Sequence, residues 1–133
     1  MAEFTMSATI DAPYDEAVAR VRAGLADAGF GVLTEIDLRA TLKAKLDVDV
    51  PPKVILGACR PQLAHEALGI DPRVAALLPC NVVVSADDAA AGASLVEVMD
   101  PKVMPDFTGT AALSPVAEDA RQRLGRMLEG LAA

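Results

Sequence analysis

Phe4, Met6, Ala8 and Ile10 alternate with Thr5, Ser7 and Thr9. This period of two predicts a half-buried first strand. Asp11-Ala-Pro13 ends it and opens a helix, with proline where a first turn tolerates it. From Tyr14, an apolar stripe of Val18, Val21, Leu25 and Ala28 follows helical spacing, with Glu16, Arg20 and Asp27 outward, and Gly29 supplies a C-terminal cap. Gly31 to Leu38 reads as a second strand with Val32, Ile36 and Leu38 on one face, and Ala40 to Leu46 as a short helix. Asp47-Val-Asp-Val-Pro51-Pro52 breaks that helix, because consecutive prolines force extended backbone.

Lys53 to Cys59 is apolar on both faces, which predicts a third strand central in the sheet. Pro61 to Leu68 follows as a helix with Leu63, Ala64, Ala67 and Leu68 inward. Asp71-Pro72 has the form of a cap and an N1 proline, opening a short helix to Leu78. Cys80 to Ala86 and Ala93 to Asp100 read as fourth and fifth strands joined by Asp87 to Gly92. Pro101 to Gly109 reads as an irregular loop exposing Met104 and Phe107. Pro115 to Leu131 is a final amphipathic helix with Val116, Ala120, Leu124, Leu128 and Leu131 inward.

Few of these helices are long enough to cross over between parallel strands. The expected fold is therefore α+β, a mainly antiparallel five-stranded sheet with two long helices on one face and short helices between the third and fourth strands. The other face is expected to be covered or mildly polar. If apolar and uncovered, it would be a dimerisation surface. At 133 residues the chain is expected to form one domain over 1–133.

Composition narrows the partners. The net charge is −7, and there is no Trp, one Tyr and three Phe. An acidic surface repels phosphate backbones and anionic membranes, and a chain this poor in aromatics offers no stacking platform, so neither nucleic acid nor membrane is an expected partner. Two cysteines make no disulfide framework. The start, Met1-Ala-Glu-Phe-Thr-Met6, lacks a secretory pattern, which points to a cytoplasmic protein with reduced thiols.

A set of short segments runs in order along the chain: Ala28-Gly-Phe-Gly-Val-Leu33, Glu35-Ile-Asp37, Thr41-Leu-Lys43, Ile55-Leu-Gly-Ala-Cys59 with Pro61, Ala67-Leu68, Asp71-Pro72, Leu78-Pro-Cys-Asn-Val82 and Asp100-Pro101. In these the chain resembles a small prokaryotic family, the domain of unknown function numbered 302. The resemblance implies a β-α-β(4)-α, TATA-binding-protein-like fold and a homodimer, and it brings no activity with it. The pair Pro51-Pro52 departs from the family pattern.

The candidate chemistry gathers around the cysteines. Cys59 ends one strand and Cys80 begins the next, so antiparallel neighbours would bring them to one end of the sheet. Met99 or Met104 could join them, and sulfur ligands suit Cu(I). The spacing is wrong for zinc, which wants four ligands in close pairs. Free cysteines are also common as small buried hydrophobes. His65, in Ala64-His-Glu-Ala-Leu68, lacks the second histidine of a zincin motif, since Gly69 stands there, and lies off the apolar stripe. Glu35 and Asp37 share a strand face, and Glu97 sits mid-strand with Leu95 and Met99; solvent-facing roles fit them more simply than catalysis. Asp47-Val-Asp49 lacks the rest of a calcium loop. Gly29-Phe-Gly31 follows a helix, the wrong context for a dinucleotide turn.

Three readings follow. The first is a non-enzymatic, dimeric small-ligand or soft-metal binding protein, with Cys59, Arg60, Cys80, Met99, Met104 and Phe107 as the candidate site and the Pro101–Gly109 loop as a lid. The second is a redox accessory or enzyme with a reactive Cys59 or Cys80, its pKa lowered by Arg60 or His65. The third is a structural interaction module. No cofactor is named by the sequence, and no catalytic set is assigned.

Overall fold

The computed structural model describes residues 3–86 and 92–132. The chain runs β1 (Thr5–Ile10), α1 (Tyr14–Asp27), β2 (Gly31–Asp37), α2 (Leu38–Leu46), β3 (Lys53–Cys59), α3 (Pro61–Ile70), a 3-10 segment (Pro72–Leu77), β4 (Cys80–Ala86), β5 (Ser94–Met99), α4 (Val103–Thr108), a second 3-10 segment (Ala111–Leu113) and α5 (Ser114–Ala132). The architecture is α+β, as the alternation of patterns predicts. All four strand pairings are antiparallel, in the order β1-β5-β4-β3-β2. β4 is therefore the central strand. β3, expected there, lies one place out. The β4–β5 connection over 87–91, read as a long hairpin loop, lies outside the described residues.

One sheet face packs on α1 and α5. Val54, Leu56 and Ala58 of β3, Val82 and Val84 of β4, and Val96 and Val98 of β5 all point into this core. From the helices come Ala17, Val21 and Leu25 of α1 and Ala120, Leu124, Met127 and Leu128 of α5. Burying each large aliphatic contributes about 1.5–3 kcal/mol. A second cluster of Ala67, Val74, Met104, Leu113, Val116 and Ala117 ties the short helices to the start of α5. Its anchors are two buried carboxylates. Asp71 accepts from the Arg73 backbone N–H and side chain and from Thr110 Oγ1, at 2.7–3.0 Å. Asp100 accepts from the Lys102 N–H at 3.0 Å and Arg121 Nε at 3.1 Å.

Four local readings change. Leu38 opens α2 instead of ending β2, because Asp37 caps the helix by accepting the Ala40 N–H at 2.9 Å. A register shift between Val32 and Thr34 makes Leu33 an extra residue. Val32 then pairs with core-facing Ala58 while Ile36 pairs with Ile55, so the two lie on opposite faces, and Ile36 is 45% exposed. Such a bulge inverts the alternation that a period-two pattern assumes. Leu68, expected inward, is 39% exposed because α3 buries only Ala67 fully. The segment 101–109, expected irregular, holds the helix α4; Phe107 is exposed, but Met104 is buried against Val74 and Val116.

The second sheet face is mildly polar. Ile36, Ile55, Val83, Glu97 and Ser7 form one row across all five strands. No helix among the described residues is long and apolar enough to cross a membrane.

Candidate functional site

Antiparallel pairing of β3 with β4 sets Cys80 directly opposite Ala58, the residue before Cys59. The two cysteines thus meet at one end of the sheet because one strand ends where the next begins. α3 starts one residue after Cys59, with Arg60 at its N-cap and Pro61 at its first turn, and swings its Leu63–Ala67 face over this end. The chain returns to β4 through the cis Leu78–Pro79 bond. α4 adds Met104 from below. The result is a cavity of about 20 Å³ with Cys59, Cys80 and Met104 in its wall, room for about one water-sized guest.

Both cysteines are free. Cys80 and Met104 are 5% and 3% exposed, whereas Cys59 is half-buried. Burial pushes the Cys80 thiol up to about 11, with the nearby Cys59 thiol adding to the rise. Burial also pushes Cys59 up. Neither thiol is thereby activated as a nucleophile, which needs a lowered pKa. The expected lowering by Arg60 or His65 is not found: His65 lies on the exposed side of α3.

Arg60 is the polar member of the wall. Its Nη1 donates to the Gly29 carbonyl at 3.4 Å, while its Nε is buried with no hydrogen-bond partner. A buried, unmatched donor is costly, and one on a guanidinium more so. Gly29 itself has a φ of +88°, and a Cβ there would run into Arg60 Nη1. The turn after α1 thus needs glycine both for its backbone and to admit the guanidinium.

The structure therefore gathers Cys59, Arg60, Cys80 and Met104 around one cavity. Met99 pairs with Thr5 at the end of β5 and is not in its wall, and Phe107 is 73% exposed on α4 and is not in it either. Phe30, Leu63 and Val116 are the largest of the further apolar residues in the wall, together with Leu78 and several alanines. They come from three separate elements, and their only sequence signal is their place at apolar positions next to a helix or strand end. No group of three or more His, Cys, Asp or Glu able to hold a metal ion occurs among the described residues.

The family described as Domain of unknown function DUF302 matches residues 6–131. The chain is similar to the crystal structure of an uncharacterized conserved DUF302 protein from Bacillus stearothermophilus. The two share 28% identity and a TM-score of 0.88, over 98% of this chain and 99% of that one. No curated protein matches.

Proposed function

The chain belongs to the DUF302 family, and within it we propose that this protein is a non-catalytic binding protein that holds one soft monovalent metal ion, Cu(I), between Cys59, Cys80 and Met104. The observation that carries this reading is that three sulfur-bearing residues, Cys59, Cys80 and Met104, line one cavity of about 20 Å³. That volume suits an ion and is far below the roughly 300 Å³ of a small-molecule pocket. Two thiolates and a thioether are soft ligands of the kind Cu(I) selects.

Loading is written as an exchange. Two Cu–S(thiolate) bonds form, two S–H bonds break, and two protons leave to solvent. The oxidation state does not change. The Cu(I) bis-thiolate carries one net negative charge, and the Arg60 guanidinium, with its unmatched Nε at the same wall, offsets it. Since both thiols are raised by burial, apparent affinity falls about a hundredfold per unit as pH drops below the thiol range. A reducing compartment such as the cytoplasm keeps the site in its dithiol form. The test is an anaerobic competition titration against a Cu(I) chelator. Cys59→Ala and Cys80→Ala abolish retention and Met104→Leu weakens it. Retention equal to wild type in Cys80→Ala overturns the site.

A second reading concerns assembly and rests on the row Ile36–Ile55–Val83 on the face away from α1 and α5. We propose that two copies meet there as a homodimer, face to face. The reactive-thiol reading has less behind it, given two thiols with raised pKa.

A further inference from the structure

The chain is acidic, with 19 carboxylate residues against 12 basic ones. Its arginines are nonetheless not scattered. α1 and α5 pack antiparallel, with Gly24 against Met127 and Ala28 against Arg123. They leave between them a groove of about 780 Å³ on the outer surface of the helical layer. Arg20 of α1 and Arg123 and Arg126 of α5 line it, and Asp27 is the one carboxylate in its wall. At one end stands Arg60: its Nη1 and that of Arg123 both lie within 4 Å of the point where a Gly29 Cβ would sit. Four of the eight arginines of the chain therefore converge on one strip.

These charges are only partly spent within the protein. Arg123 Nε pairs with Asp119 at 2.6 Å, and its Nη1 reaches the Ala28 carbonyl at 3.4 Å. Arg126 Nε reaches only its own helix, at the Gln122 carbonyl. Among the described residues, Arg20, Arg126 and Asp27 form no ion pair. Gly24 and Ala23 keep the floor low, and Met127 and Leu131 make part of it apolar.

We propose that the α1/α5 groove binds a phosphate monoester, its phosphate held by the Arg20 and Arg126 forks and its body laid on the Ala23–Met127–Leu131 floor. Arginine forks match phosphate oxygens bidentately, and a groove of this volume holds a drug-sized molecule. The short length of the strip on an otherwise acidic body selects a compact anion over a nucleic acid, whose backbone would run past the groove onto carboxylates. Arg20, Arg126 and the floor lie outside the sulfur cavity, which shares only Arg60 with this strip, so the two proposals are tested at different residues.

The phosphate monoester can come from a soluble molecule or from a lipid headgroup, and the two are tested in parallel. Phenyl phosphate is titrated into the full chain by calorimetry. Phosphatidylcholine vesicles with and without phosphatidic acid are tested by co-sedimentation. At least one probe is expected to bind saturably, at one site per chain. Arg20→Ala and Arg126→Ala, both exposed positions, are expected to weaken it about tenfold or more each. Asp27→Asn is expected to tighten it, and Arg39→Ala, outside the groove, to leave it unchanged. Binding of phenyl phosphate alone assigns a soluble ligand, and binding of phosphatidic acid vesicles alone assigns a headgroup. The proposal is overturned if neither probe saturates by about 10 mM phosphate. It is equally overturned if the Arg20 and Arg126 variants bind like wild type, or if Arg39→Ala loses as much as they do.

Discussion

Gly29→Ala is expected to cost more than any backbone penalty accounts for. Gly29 sits at φ +88° after α1, and the added methyl runs into Arg60 Nη1. The left-handed backbone costs an alanine about 1 kcal/mol relative to glycine. Moving the guanidinium gives up its bond to the Gly29 carbonyl and draws the side chain off the cavity wall, adding about 0.5–1.5 kcal/mol. Gly109→Ala is the internal reference: it has φ +70° and nothing within 4 Å of its would-be Cβ. That variant is expected to show the backbone cost alone. Urea denaturation of both, with Arg60→Ala and Gly29→Ala/Arg60→Ala, forms a double-mutant cycle. The expected result is a Gly29→Ala loss of about 1.5–2.5 kcal/mol, falling to about 1 kcal/mol when Arg60 is already absent. If Gly29→Ala costs no more than Gly109→Ala, or if removing Arg60 rescues nothing, Arg60 is not held where this account needs it.

Other expectations are independent of that turn. Asp100→Ala leaves the Lys102 amide and half-exposed Arg121 without their acceptor and is expected to cost about 1–2 kcal/mol in urea, discounted for the solvent that reaches Arg121. The Arg73 and Thr110 side chains, donating to Asp71, hold its carboxyl well below the usual carboxylate range. A carboxyl whose folded pKa is lowered stabilises the fold above its unfolded value near pH 4, and that contribution is lost as pH falls through the folded value. Asp71→Asn is therefore expected to flatten the acid side of a thermal-melt pH series below about pH 4 and to lower stability at neutral pH. If the proposed homodimer forms through the second sheet face, Ile36→Glu, at an exposed position there, is expected to give a monomer in light scattering where wild type gives a dimer, without changing the helical circular dichroism; a dimer that persists refutes that face.

Much of the fold was legible because its signals are local. β1, α1, β3, β4 and α5 were visible as alternation, as apolar stripes at helical spacing and as proline stops. The places where the reading changed share a cause: the deciding contact is distant in sequence. The bulge at Leu33 depends on pairing with β3, and no pattern within β2 announces it. Met104 looked exposed because its segment is short and proline-bounded, yet α4 tucks it under Val74 and Val116. The candidate cavity was half legible. Strand junctions bring Cys59 and Cys80 together, but the choice of Met104 over Met99 turns on where α4 packs. The arginine groove left no motif, since Arg20 and Arg126 are 106 positions apart and meet only because α1 and α5 pack antiparallel.

The most direct test of the central proposal is Cu(I) stoichiometry and affinity at two pH values, measured anaerobically against a chromophoric chelator on wild type, Cys59→Ala and Cys80→Ala. The expected result is one Cu(I) per wild-type chain, none on either variant, and affinity about a hundredfold weaker per pH unit lost below the thiol range. A wild-type chain that yields all its copper to the chelator, or a Cys80→Ala chain that holds it as well as wild type, contradicts the account.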